Sequence, residues 1–286
     1  MPAPILRFED VCLSYDDKLV LNKINLTVNQ GDTFILLGAA GSGKTVLLKL
    51  AMSLIQATSG RIELLGRDIT HLKETELFEI RSEVGVLFQE GGLFDSLTIA
   101  DNVAYPFRNQ KRLFAPEDEI AVRVKESLEF VELGHTLDKF PSELSGGMRR
   151  RAGIARANVT NPKLSLYDSP TAGLDPITAH TIMSLIIKQR ELRKTTTVLA
   201  THRYQDGAMA ANYHWDDKIH DVVRALPYGQ YANLSTTFIV MDEGRIVFSG
   251  SQQQLEASRD PYVSQFVLHQ PPPRPRPSGD RGQLPA

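Results

Sequence analysis

Gly38, Ala39, Ala40, Gly41, Ser42, Gly43, Lys44 and Thr45 follow the pattern G-x-x-x-x-G-K-[ST]. That order of residue types suits one task, the holding of a polyphosphate together with its metal. The glycines let successive backbone N–H groups turn inward toward an anion. Lys44 supplies a cation for the outer phosphates, and the Thr45 hydroxyl an oxygen for Mg²⁺. The flanks agree. Residues 34–37 are an apolar run that reads as a strand. Residues 46–51 read as a helix, whose positive N-terminal end faces the same anion. An ordinary glycine-rich turn accounts for neither flank.

Two further clusters carry chemistry. Ser145, Gly146 and Gly147 stand before the basic run Arg149-Arg150-Arg151. Paired glycines after a serine at a helix N-terminus form a second anion-binding nest, or an ordinary cap in which Ser145 is the N-cap residue. One chain needs only one triphosphate cradle, so a second nest suggests a site shared between two subunits. Asp168 closes the short apolar run 164–167, where a carboxylate binds Mg²⁺ directly or through water. His202 follows the apolar run 196–200 and is placed either to meet a transferred γ-phosphate or to serve the structure alone.

The elements that must position these residues alternate between strand and helix. Residues 5–15 and 20–28 read as an antiparallel pair, with further strands at 61–65, 84–88, 164–167 and 196–200 and a hairpin at 237–241 and 245–248. Helices are expected at 98–108, 116–133, with Pro116 at its first position, and 176–193. The segment 90–161 is almost purely helical. This pattern implies an α/β fold with a mainly parallel core sheet, an antiparallel β subdomain and an inserted helical subdomain. The 286 residues allow one or two domains, and a net charge of −2 gives no basic signal for nucleic acid. Cys12 is the single cysteine and cannot form an intrachain disulfide, which suits a reducing compartment. No apolar run approaches the roughly 18 residues of a membrane span, and the N-terminus lacks a signal-peptide apolar region. A soluble cytoplasmic chain is expected, with any membrane role reached through a partner.

With these motifs in this order, residues 5–260 resemble the ATP-binding cassette (ABC) family of P-loop NTPases. The resemblance implies ATP and Mg²⁺ as cofactors, the latter held by Thr45, Gln89 and Asp168. It implies that Tyr15 stacks on adenine, and that residues 38–46, Val46 included, cradle the phosphates. Gln89 would link the site to the helical subdomain. Two chains would pair head-to-tail as a homodimer, each ATP lying between one phosphate loop and the partner's Ser145, Gly146 and Gly147. Asp175 would reach across that seam. Catalysis would involve Gln89, Asp168, His202 and the residue at position 169.

The stretch from Phe88 to Arg108 narrows the resemblance to the lipid-trafficking branch that serves Mla/Mce-type envelope systems, and Met148 in place of the commoner Gln also fits it. That branch implies an integral membrane permease, a substrate-binding Mce-domain protein, and a peripheral position on the cytoplasmic face of the bacterial inner membrane. A soluble non-transport ABC ATPase is the alternative, disfavoured by the single cassette and near-neutral charge.

Several positions depart from the family. Ser169 stands where a Glu normally activates or orients the attacking water. Serine is a poor proton acceptor, and loss of a positioned base costs about 10²- to 10⁴-fold in rate. A MgATP-binding protein with slow turnover is expected, or a non-hydrolysing ATP switch; Glu90 is a substitute base or a solvated loop residue. Val46 replaces a common hydroxyl, Ala39 and Ala40 fall at variable positions, and Ser165 places a hydroxyl in an apolar strand. About two dozen extra residues, 207–236, follow His202, long for an ordinary connection. On a helix, Asp216 and His220 would share a face suited to a divalent metal, though a solvated amphipathic helix or a partner-docking surface explains them too. The ATPase domain is expected over 1–268, followed by a Pro-rich tail, 269–286, too poor in apolar residues to order itself.

Overall fold

The computed structural model describes residues 4–268 except 17, 90, 111, 112, 114, 228, 233 and 234. The expectations for Glu90 and for the tail 269–286 therefore lie outside the described residues.

Two long strands open the chain, β1 (Pro4–Tyr15) and β2 (Lys18–Asn29), paired antiparallel from Pro4↔Asn29 to Tyr15↔Lys18. Alternation sends Leu6 and Phe8 of β1 inward, and after a register shift between Phe8 and Val11, with Asp10 at φ 47°, it resumes with Val11 and Leu13. With β4 (Ser59–Leu64) and β5 (Arg67–Asp68) they form the antiparallel sheet, in the order β2-β1-β4-β5.

The core sheet has the order β12-β11-β3-β8-β7-β6. Its strands are β3 (Thr33–Leu37), β6 (Val84–Leu87), β7 (Leu164–Asp168), β8 (Thr196–Thr201), β11 (Thr236–Asp242) and β12 (Arg245–Gly250). Five run parallel, and β12 alone is antiparallel, closing the hairpin with β11. The strands β3, β7 and β8 are buried at every residue, as expected of parallel strands covered on both faces. Period-2 geometry then divides β3 between two cores. Phe34 and Leu36 pack with the antiparallel sheet, while Ile35 and Leu37 pack with the helical side.

The helices are α1 (Lys44–Ala51), α2 (Glu74–Arg81), α3 (Ile99–Asn109), α4 (Glu117–Phe130), α5 (Gly146–Asn158), α6 (Pro176–Arg193), α7 (Tyr204–Asn212), α8 (Gln252–Glu256) and α9 (Pro261–Leu268). Among the described residues of 90–161 the regular elements are helices: α3, α4 and α5 share a core containing Val103, Phe107, Val124, Leu128 and Ala152. Pro116 sits one position earlier than expected, as the extended N-cap residue of α4. Ser165 is explained by its partners: its hydroxyl donates to Asn158 Oδ1 at 2.9 Å, and Asn158 Nδ2 donates to the buried Tyr167 hydroxyl at 3.2 Å. No helix among the described residues is long and apolar enough to cross a membrane.

The segment after His202 corrects the sequence reading. Helix α7 occupies its first part, and the stretch expected to be helical is instead a hairpin of β9 (Tyr213–Asp216) and β10 (Asp221–Arg224). Asp216 pairs with Asp221, and His220 lies in the turn at φ 52°, so the i,i+4 helical face proposed for Asp216 and His220 does not form. No group of three or more metal-ligating side chains occurs among the described residues. Aromatic and β-branched residues here (Tyr213, Trp215, Val222, Val223) outweigh the helical spacing of the charges. The hairpin lies on α6. Glu191 accepts the Trp215 backbone N–H at 2.8 Å, and the Lys188 ammonium sits 4.3 Å from the Phe130 ring centroid and 4.5 Å from that of Trp215.

Candidate nucleotide site

The candidate residues gather at the carboxyl ends of the parallel strands, where an open α/β sheet leaves its crevice. Residues 38–43 follow β3, Gln89 follows β6, Asp168 ends β7, and His202 follows β8. The loop is built for close backbone approach. A Cβ at Gly38 would lie 2.4 Å from Ser42 Oγ and 2.6 Å from the Met241 carbonyl oxygen, and Gly43 has φ 103°, which disfavours any side chain. No side chain caps α1, so its N-terminal end is presented to the loop rather than satisfied by a neighbour.

Lys44 is buried, and its ammonium donates to Gly38 O at 2.8 Å, Ala39 O at 2.8 Å and Ser42 Oγ at 3.2 Å. Burial lowers its pKa, with the Asp168 carboxylate working in the opposite direction. All three ammonium protons are engaged, so contact with a phosphate requires release of at least one of these bonds. The Thr45 hydroxyl donates to Asp168 Oδ2 at 2.7 Å. Two hard oxygens side by side, next to a lysine and a helix N-terminus, are a donor set that fits Mg²⁺ bridged to phosphate. Gln89 is exposed at its strand end, as is His202. Tyr15, 52% exposed at the end of β1, offers a free aromatic face.

Ser169 has the left-handed φ of 50°, its N–H donates to Ala200 O at 2.8 Å, and its hydroxyl donates to Asp168 Oδ1 at 3.2 Å. The loop it begins is held by an arginine that stands in the sequence only as part of the basic run Arg149-Arg150-Arg151. Arg150, buried on α5, donates to Ser169 O (2.9 Å), Pro170 O (3.1 Å) and Ala172 O (3.1 Å). A second buried group, Asp206 on α7, accepts the hydroxyl protons of Thr171 at 2.5 Å and Thr201 at 2.8 Å. Burial raises its pKa, and the two hydroxyls with the charges of Arg203 and His202 pull the other way.

Ser145 is the N-cap of α5, accepting the Met148 N–H at 3.2 Å, so the capping reading holds. A Cβ at Gly146 would meet nothing within 4 Å, whereas one at Gly147 would lie 2.6 Å from Thr178 Cγ2. The turn is thus open to solvent on one side and pressed on α6 on the other. Asp175 caps α6, accepting the N–H groups of Ile177 and Thr178 at 3.0 Å and the Thr178 hydroxyl at 2.6 Å. The Thr178 hydroxyl and these N–H groups lower its pKa, so the carboxylate is charged and exposed beside Gly147.

The model of the ABC transporter family matches residues 21–172, which spans the phosphate loop, the serine–glycine turn and Asp168. The chain belongs to the ABC transporter family. It is 34% identical to the intermembrane phospholipid transport system ATP-binding protein MlaF of Haemophilus influenzae, over 93% of this chain and 91% of that protein. It is 39% identical to the methionine import ATP-binding protein MetN of Bifidobacterium longum over 93% of this chain, which spans only 62% of that relative's length. The post-hydrolysis dimer of the ATP-binding cassette MJ0796 bound to ADP and Pi superposes with a TM-score of 0.72 at 26% identity, covering 86% of this chain and 98% of that one. As an ABC ATPase the chain takes ATP with Mg²⁺, and the geometry of Lys44, Thr45 and Asp168 fits both.

Arg150 and Asp206 are parts of this ABC cassette whose roles the sequence did not disclose. Arg150 acts on carbonyls 19 to 22 residues away and Asp206 on the Thr171 hydroxyl 35 residues away, and neither lies in a pattern with fixed spacing.

Proposed function

We propose that this chain is the ATP-hydrolysing subunit of a membrane transporter that moves phospholipid or another lipid, working as a head-to-tail homodimer beneath an integral permease on the cytoplasmic face of a bacterial inner membrane, with an Mce-domain protein as substrate carrier. The observation that carries the lipid assignment is the Phe88–Arg108 stretch, in a chain that aligns with the phospholipid-transport relative over nearly the whole of both. The surface of that stretch supports permease docking. Phe94 and Tyr105 are exposed with ring centroids 4.4 Å apart, and the Arg156 guanidinium lies 5.5 Å from the Phe94 centroid.

Residues 38–46 and the N-terminal end of α1 would hold the phosphates, Lys44 meeting the outer ones. Thr45 and Asp168 would hold Mg²⁺, with Gln89 approaching from β6, and the metal, when bound, would supply charge neutralisation for phosphoryl transfer. Tyr15 would stack on the base, and His202 would reach the γ-phosphate. The partner's copy of the Ser145–Gly147 turn would close the site, which the open side of Gly146 permits. Asp175 would cross the seam beside it. Ser169 cannot act as a strong base, so turnover rests on positioning and charge stabilisation and is slow. A non-hydrolysing ATP switch is the second reading, and Ser169 is what favours it.

Reconstitution with the permease separates these. ATP-dependent lipid movement that is lost in Lys44→Ala is the expected result. ATP binding without turnover in the assembled complex would establish the switch, and movement of methionine instead would overturn the lipid assignment.

A further inference from the structure

The phosphate loop is held from a direction that its own motif does not provide. Tyr262 lies on α9, far along the chain from the loop. Its hydroxyl accepts the Ala39 backbone N–H at 3.3 Å and donates to the Met241 carbonyl oxygen, at the end of β11, at 3.1 Å. The ring is seated against Phe266, edge on, with centroids 5.4 Å apart, and the neighbouring Val263 is buried in the main core. Burial, reinforced by the carboxylates of Asp242 and Glu243, raises the phenol's pKa, so the hydroxyl keeps its proton and serves as acceptor and donor at once.

The Ala39 residue is thus gripped on both sides: Tyr262 holds its N–H and the Lys44 ammonium holds its C=O at 2.8 Å. Lys44 has to give up part of that grip to meet a phosphate, because its three protons are already engaged. The phenol bonds the Ala39 N–H and the Met241 carbonyl and makes no bond to Lys44, so release of the lysine does not require release of the tyrosine. Gly38 beside it leaves no room for a side chain, since a Cβ there would meet Ser42 Oγ and the same Met241 carbonyl.

We propose that Tyr262 is a positioning residue for nucleotide binding, by which the C-terminal helix braces the first turn of the phosphate loop in the shape that receives ATP once Lys44 turns to the phosphates. The proposal rests on the reading of residues 38–45 as the nucleotide site. It extends that site to a helix whose Tyr262 lies 223 residues beyond Ala39 in the sequence. Displacement of α9 by a partner would then loosen the loop and weaken nucleotide binding.

The test is titration of the full-length chain with a fluorescent ATP analogue and Mg²⁺, with steady-state turnover measured in parallel. Tyr262→Phe keeps the ring and its packing and removes both hydrogen bonds. The nucleotide Kd and the KM for ATP are expected to rise about five- to tenfold, with kcat at saturation nearly unchanged. Tyr204→Phe is the control, because that phenol bonds Glu256 and Gln252 in the same C-terminal packing and does not touch the loop. Its nucleotide affinity is expected to match the wild type. Wild-type affinity in Tyr262→Phe overturns the proposal, and so does equal weakening in both variants, which would mean general loosening of the C-terminal helices. Lys44→Ala separates the two levels. If it retains affinity, the reading of the loop itself falls; if it loses affinity while Tyr262→Phe does not, only the brace falls.

Discussion

The Thr45 hydroxyl donates to Asp168 Oδ2 at 2.7 Å across 123 residues of sequence. This bond joins the phosphate loop to the end of β7 and sets side by side the two oxygens that would hold Mg²⁺ in the proposed site. Thr45→Val and Asp168→Asn should each weaken MgATP binding by tenfold or more, about 1.4 kcal/mol, while nucleotide binding in EDTA changes little. Thr45→Ser keeps the hydroxyl and should retain most of the affinity. Calorimetric titration with and without Mg²⁺ checks the set, and equal losses in both conditions would place the metal elsewhere.

Ser169 stands next to that pair, with its hydroxyl on the other oxygen of Asp168. Ser169→Glu places a carboxylate where a water-orienting base would act, at a backbone conformation the native residue already tolerates. Turnover should rise by about 10²- to 10⁴-fold. Single-turnover hydrolysis measures it, and an unchanged rate would show that another group supplies the base.

Arg150 makes three carbonyl contacts from a buried position. Arg150→Met removes charge-assisted bonds and leaves buried acceptors unpaired, which should cost about 3 kcal/mol in urea unfolding. The same contacts tie α5, whose N-terminus carries the Ser145–Gly147 turn, to the loop leading from Ser169 to Asp175. Cooperativity of turnover with ATP should therefore fall in Arg150→Lys, which keeps the charge and loses the fork.

Asp206 gives a signed pH dependence. Its folded pKa is raised above the unfolded 3.8, chiefly by burial. Such a group contributes stability that is fully present below 3.8 and is lost as pH rises through the folded value. Asp206→Asn does not ionise, so its unfolding free energy should fall less than the wild type's as pH rises above 3.8. Parallel curves for the two proteins would exclude Asp206 as the source.

What the sequence by itself determined was whatever depends on local pattern. The phosphate loop between strand and helix, the capped start of α5, the pairing of strands β1 and β2 and the helices among the described residues of 90–161 all follow from residue type and spacing within a few turns of chain. The hairpin β9–β10 was misread because charges at helical spacing coincide with residues of strong β preference, and contact with α6 settles the choice. Only the tertiary structure decided the pairing of Thr45 with Asp168, the grip of Arg150 on the Ser169 loop, the Thr171–Asp206–Thr201 cluster and the contact of Tyr262 with Ala39. Each consists of one to three hydrogen bonds, most of them between residues far apart in sequence, and no periodicity records them. Their partners meet because the buried parallel strands stack the loops at one edge of the sheet.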